Sequence, residues 1–341
     1  MKKKMKILSA AMAFIALVFS AGIEAQEVID QVDETFTNIS AVEIEGSFCA
    51  VDIMGSSDRE VQLSGEISGP SKYDVKIRHH IMGGTLRVWI DRPNSLRNVK
   101  GKLSLYVPKK TNIEVDNSSG SISVKDIVGA MVKLEASSGS IKAVNINSDI
   151  SAEASSGSIS LSEISGDARA ATTSGGQRHE AIGGSLKVKS SSGSIKVSEV
   201  EGETDITSTS GSQSIHSIGS SLYTQASSGS IKISEVRGDV RGTTSSGGMS
   251  LSNVTGALNL ASTSGSQRGS TIKLTGNSTF KSSSGSISMD LSNDKQELSF
   301  ALKASSGSLN AKGSSGRKKL IIDGGPIKVT GTSSSGSQSY R

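Results

Sequence analysis

From Gly193 the positions Ile195, Val197, Val200, Gly202, Thr204, Ile206, Ser208 and Ser210 alternate with polar residues, with one extra residue inserted between Val197 and Val200. Alternation at period two is a strand signature, because successive side chains point to opposite faces. The same register returns from Gly157 as Ile159, Leu161, Ile164, Gly166, Ala168, Ala170, Thr172 and Ser174, and from Gly247 as Met249, Leu251, Val254, Gly256, Leu258, Leu260, Ser262 and Ser264. Counted from each glycine, the inward set is offsets 2, 4, 7, 9, 11, 13, 15 and 17. The slip in parity between offsets 4 and 7 marks a corner.

Ser-Gly recurs at Gly139, Gly157, Gly175, Gly193, Gly211, Gly229, Gly247 and Gly265, a constant step of 18 residues. So short a fixed step predicts an all-β protein, a β-solenoid of 18-residue coils with capping ends. Each coil reads as a short strand, a corner, and a longer strand that bends. Glycine at offset 0, and often at 9, is expected to supply positive φ at the turns. Ser, Thr or Ala at offsets 15 and 17 predicts a narrow core there. Aromatic residues make up 3% of the chain, so backbone ladders and stacked identical side chains must supply much of the stability.

Stacking identical coils also stacks identical charges. Glu163, Glu199 and Glu235 share offset 6 on alternate coils, with Ala181, Ser217 and Asn253 between and after them, and Lys196 and Lys232 flank Ser214 at offset 3. These read as solvated corner charges spaced to relieve repulsion.

Outside the repeat the texture changes. Residues 1–25 carry a lysine-rich start and an apolar stretch from Ile7 to Phe19, which predicts a cleaved signal peptide. Its removal takes away Lys2, Lys3, Lys4, Lys6 and Glu24 and lowers the formal charge from +5 to +2, so nothing argues for nucleic acid. Residues 26–115 hold longer, more hydrophobic strand candidates and read as an N-terminal β cap region. Residues 116–316 form the repeat, and 317–341, where the step has lengthened, read as a C-terminal cap. Cys49, the one cysteine, reads as a small buried apolar residue. After the leader no apolar run is long enough to act as a transmembrane anchor.

A Gly-Gly-Thr-Leu-Arg-Val segment at Gly83 to Val88, a strand ending at Val107-Pro108, and Asn-Ser-Ser-Gly-Ser-Ile-Ser-Val at Asn117 to Val124 precede the tandem Ser-Gly repeats. In this order the chain resembles the adhesin-like bacterial domains of unknown function, related to the head-GIN type, over roughly residues 35–335. The resemblance implies a right-handed β-helix exported to the cell envelope, in the periplasm or at the surface, and brings no catalytic residues with it.

The chemistry is sparse. His79, His80, His179 and His216 are scattered, and His79 and His80, adjacent on a strand, point to opposite faces. Gln177 to Glu180 reads as one decorated corner. No catalytic, metal or cofactor residues are expected. The favoured expectation is an adhesin-like or envelope scaffold protein that is not an enzyme, with a polysaccharide, cell-surface or envelope protein as partner. A carbohydrate-active solenoid comes second and an ice- or crystal-binding solenoid third.

Overall fold

The computed structural model describes residues 27–341, and the leader expected over residues 1–25 lies outside them. The described chain is all β apart from one short 3-10 turn at Lys295–Glu297. Each repeat supplies two strands, such as Ile195–Val200 and Thr204–Ser210. The first kind pairs in parallel with its equivalents 18 residues away to form a front sheet. The second kind does the same to form a back sheet. A narrow apolar core fills the space between them.

The core follows the expected parity through most of the coil. Ile146, Ile164, Ile182, Val200, Ile218, Val236, Val254 and Ile272 stand in register at offset 7, and all are buried. Ile195, at offset 2, is fully buried while Lys196 beside it is exposed. We therefore expect Ile195→Asp to cost several kcal/mol, as an unpaired buried charge does. Lys196→Asp should shift stability by less than about 1 kcal/mol. Denaturant unfolding of both variants checks this, and equal losses would put the register in error.

Offset 17 departs from expectation. Ser174, Ser192, Ser210 and Ser228 are exposed, because the chain is already leaving the back sheet for the next corner, and the last inward position is offset 15. The corners also work differently from the sequence reading. Positive φ falls at offset 6 on nine successive coils: Asp126, Asn145, Glu163, Ala181, Glu199, Ser217, Glu235, Asn253 and Thr271 lie between 51° and 61°. A left-handed residue there produces the parity slip, since it turns the strand without a glycine. Of the offset-9 glycines only Gly129 has positive φ, and at offset 0 of the regular coils only Gly193, Gly211 and Gly229 do. The glycine column is required by space. A Cβ on Gly157 would lie 1.7 Å from the carbonyl oxygen of Gly139, and one on Gly265 1.8 Å from that of Gly247.

Both ends of the stack are built by a chain that doubles back. Ala41–Glu45 and Ala50–Ser56, the first coil in sequence, lie between Thr85–Asp91 with Lys100–Pro108 on one side and Asn112–Asn117 with Ile122–Val128 on the other. Beyond them, Lys76–Met82, Val61–Gly69 and Glu27–Phe36 add antiparallel strands over the end of the core. At the other end Ile327–Ser333 and Gln338–Tyr340, the last coil in sequence, insert between Ser278–Ser282 with Ile287–Leu291 and the long strand Leu298–Ala311. Ser314–Ile322 then closes the stack as an antiparallel edge strand. The segment 317–341 thus divides between the outer edge and an interior coil. Tyr340 wedges between Phe280 and Phe300, with ring centroids 5.5 and 5.8 Å away, which fills the wider core that the longer terminal coils enclose.

Candidate contact faces

The outward residues of the two sheets form files, because parallel in-register pairing puts equivalent offsets side by side from coil to coil. On the front sheet the offset-3 file runs Lys142, Ser160, Arg178, Lys196, Ser214, Lys232, Ser250 and Arg268. Glu163, Glu199 and Glu235 stand exposed at the neighbouring offset-6 corner on alternate coils. The spacing read from sequence therefore holds on this side of the molecule.

On the back sheet it does not. Glu45, Asp116, Glu135 and Glu153 occupy four adjacent coils directly in register. The offset-6 acids alternate along a corner; these four stand on one face, because the parallel back-sheet ladder puts their positions side by side on successive coils. Cations from the next file relieve part of the repulsion. Arg87 donates to Glu45 at 2.5 Å, and Lys133 reaches Glu114 at 2.9 Å and Glu135 at 3.0 Å. The hydrogen bond to Glu114, then that to Glu135, holds the Lys133 ammonium above its ordinary pKa. Asp116, Glu135 and Glu153 border an open groove of about 510 Å³ that runs on past Lys189 to Thr207. Further along the same sheet Lys187 pairs with Asp205 at 3.4 Å, and Arg241 lies over the ring of Tyr223.

Gln177 and His179 are not part of a decorated corner: both are buried in the core, and only Arg178 and Glu180 face outward, paired at 3.0 Å. Buried glutamine at offset 2 recurs. Gln177, Gln213, Gln267 and Gln338 each donate through Nε2 to a hydroxyl five residues earlier, on Thr172, Ser208, Ser262 and Ser333, at 2.8 to 3.0 Å. Each Nε2 also donates to a main-chain carbonyl of the opposite sheet, on Lys189, Gln225, Lys281 and Lys303. Both donors of each amide are thereby satisfied, so the glutamines tie the two sheets together across the core. His179 Nε2 lies 3.0 Å from Gln177 Oε1, and burial pushes its imidazole down to a pKa of about 3.

The remaining singled-out residues are dispersed. His79 contacts Glu34 at 3.1 Å and the ring of Phe36, while His80 on the opposite face is exposed. His216 Nδ1 lies 3.0 Å from Ser234 Oγ. Cys49 is buried, with its thiol pushed up to about 12 by burial, and its carbonyl accepts from Asn117 Nδ2 at 2.8 Å. Among the described residues no group of three or more His, Cys, Asp or Glu is placed to hold a metal ion. No helix among them is long and apolar enough to cross a membrane.

A two-sheet β-solenoid with repeated polar files on its outer faces is the class of protein these features define. The chain belongs to the Toastrack family DUF4097, whose model matches residues 39–241 and 219–336. No curated protein matches it by sequence. Among solved structures it is similar to a "putative cell adhesion protein" of Clostridium sporogenes, at 9% identity over 91% of this chain and 98% of that one, with a TM-score of 0.18. It is similar also to a "putative adhesin" of Bacteroides fragilis, at 15% identity over 93% and 99%, with a TM-score of 0.23. A "putative lipid binding protein" of Parabacteroides distasonis matches at 16% identity over 76% and 98%, with a TM-score of 0.27. At these scores the three define neither the fold nor the function of this chain.

Proposed function

We propose that the chain is an exported adhesin-like or envelope scaffold protein that acts by multivalent surface contact and catalyses no reaction. The observation that supports this is the register of the outward files. A weak contact made by one coil is offered again by its neighbours, so affinity grows with the number of coils engaged. The expected partner is a polysaccharide or another component of a cell surface or envelope.

Deleting coils in units of 18 residues between Gly139 and Gly265, with both ends retained, is expected to weaken adhesion to cells or matrix polymers progressively. A catalyst would respond differently, losing turnover when one critical coil goes and keeping it otherwise.

A second reading, cleavage of a polysaccharide, has one observation in its favour: the adjacent carboxylates Asp116, Glu135 and Glu153 along an open groove. Paired carboxylates are what glycoside hydrolysis uses. Hydrolysis that is abolished by Glu135→Gln would replace the contact reading.

A further inference from the structure

We propose that the outer face of the front sheet is the docking surface for a linear acidic polysaccharide in which carboxylates recur at the sugar repeat. This deepens the contact reading and rests on it. Along the offset-3 file the cations Lys142, Arg178, Lys196, Lys232 and Arg268 are all exposed and stand one or two coils apart. At a strand spacing of ~4.8 Å per coil the file is straight over roughly 34 Å. Arg178 is paired with Glu180; the other four enter no ion pair among the described residues. The neighbouring acids Glu163, Glu199 and Glu235, the last two on the coils of Lys196 and Lys232, stand at the corner, and none of them bonds to the file.

Counting the outward offsets 3 and 5 from Ser123 to Ser270, Lys125 joins the five to make six cations, against Glu180 alone. Without its leader the whole chain carries a formal charge of only +2; these cations are gathered on the outward offsets, while the acids Asp126, Glu163, Glu199 and Glu235 of the front-sheet strands stand apart from them at the offset-6 corner. Like charges along one file repel one another, four of the five here without an ion pair among the described residues, and an incoming polyanion relieves that repulsion as well as adding attraction.

The geometry separates classes of polyanion. A base-paired duplex advances one phosphate per strand every ~3.4 Å along its axis, closer than these cations, and single strands are held by aromatic platforms. No Phe, Tyr or Trp occupies offsets 3 or 5 between Ser123 and Ser270, and the one imidazole there, His216, is held at Nδ1 by Ser234 Oγ. An anionic membrane is met by apolar insertion beside broad basic surface, whereas this file is one residue wide and bordered by glutamates. A uronate chain spaces its charges more widely and offers hydroxyls between them. The intervening Ser160, Ser214 and Ser250, with Ser162, Ser198 and Ser234 alongside, are suited to bond such hydroxyls.

The test uses the full mature chain and four probes: polygalacturonate, neutral dextran, a thymidine oligonucleotide and phosphatidylglycerol vesicles. The variant combines Lys142→Ser, Lys196→Ser and Lys232→Ser, each placing at offset 3 the residue that neighbouring coils already carry there. A control of equal charge loss on the back sheet combines Arg169→Ser, Lys187→Ser and Arg241→Ser, none of which lines the acidic groove. Polygalacturonate is expected to bind wild type, dextran not. The front variant should lose roughly tenfold or more in affinity and show a shallower salt dependence, with unchanged circular dichroism, while the back control stays near wild type. Absence of uronate binding, equal losses in both variants, or tighter binding of the oligonucleotide or vesicles would overturn the assignment. Cell or matrix adhesion that survives in the front variant would overturn it while leaving the contact reading standing. Insensitivity of adhesion to coil deletion would instead overturn the contact reading.

Discussion

Gly157→Ala is expected to destabilise the solenoid by at least ~3 kcal/mol, while Gly129→Ala costs about 1 to 2 kcal/mol. The two glycines fail for different reasons. At Gly157 a Cβ would sit 1.7 Å from the carbonyl oxygen and 2.5 Å from the carbonyl carbon of Gly139, both backbone atoms of the coil beside it. No side-chain rotation relieves that, so the coils themselves must separate. Separation stretches the ladder around the corner, including Ser155 N to Ala136 O at 3.0 Å and Ser156 N to Ser137 O at 2.9 Å. Gly129 has a φ of 64° and nothing within 4 Å of its would-be Cβ, so alanine there meets only the left-handed backbone penalty. Denaturant unfolding of the two variants separates the cases. Equal losses would mean that the Ser-Gly column serves turn conformation, as the sequence alone suggests, and not the axial approach of coils.

That contrast shows where sequence reasoning succeeds and where it stops. The 18-residue step and the alternation at Ile195, Val197 and Ile206 suffice for the two-sheet solenoid, because a period-two pattern with a fixed slip has one physical solution. The step also identifies the special positions without telling what is special about them. A recurring glycine can mean positive φ or missing space, and only the stacking of the coils distinguishes them. The left-handed column at offset 6 carries Asp, Asn, Glu, Ala, Ser and Thr, so no single residue type announces it.

Buried polarity was hidden for a related reason. Gln177 and Gln213 lie at the inward offset 2, with Thr172 and Ser208 five residues before them, a spacing that the sequence itself displays. Glutamine is so commonly a surface residue that parity alone did not move it inside. The ends were the least legible part. Insertion of the first and last coils into the interior of the stack is a long-range pairing, with Ala41 beside both Thr85 and Asn112, and no local pattern encodes it. Of the acidic file only the Glu45 end depends on that insertion; Glu135 and Glu153 stand one 18-residue step apart, and their register follows from the repeat itself.

His179 is expected to make the protein acid-sensitive in a defined window. It is fully buried, Nδ1 has no hydrogen-bond partner among the described residues, and its in-register neighbours at the same offset are Leu161 and Val197. Burial disfavours the imidazolium and lowers the pKa from 6.5 to about 3. Between those limits the unfolded chain binds the proton and the folded chain does not, so stability rises with pH across the window. The contribution is fully present above pH 6.5, falls by up to ~1.4 kcal/mol for each unit as the pH drops, and levels off near pH 3. His179→Leu, which matches the residue at Leu161, should remove this component. The stability difference between variant and wild type, measured by denaturant unfolding at several pH values, should therefore widen in favour of the variant from about pH 6.5 downward. A difference that stays constant with pH would show that His179 gains its proton as readily in the folded chain as in the unfolded one, and would place the imidazole in contact with water.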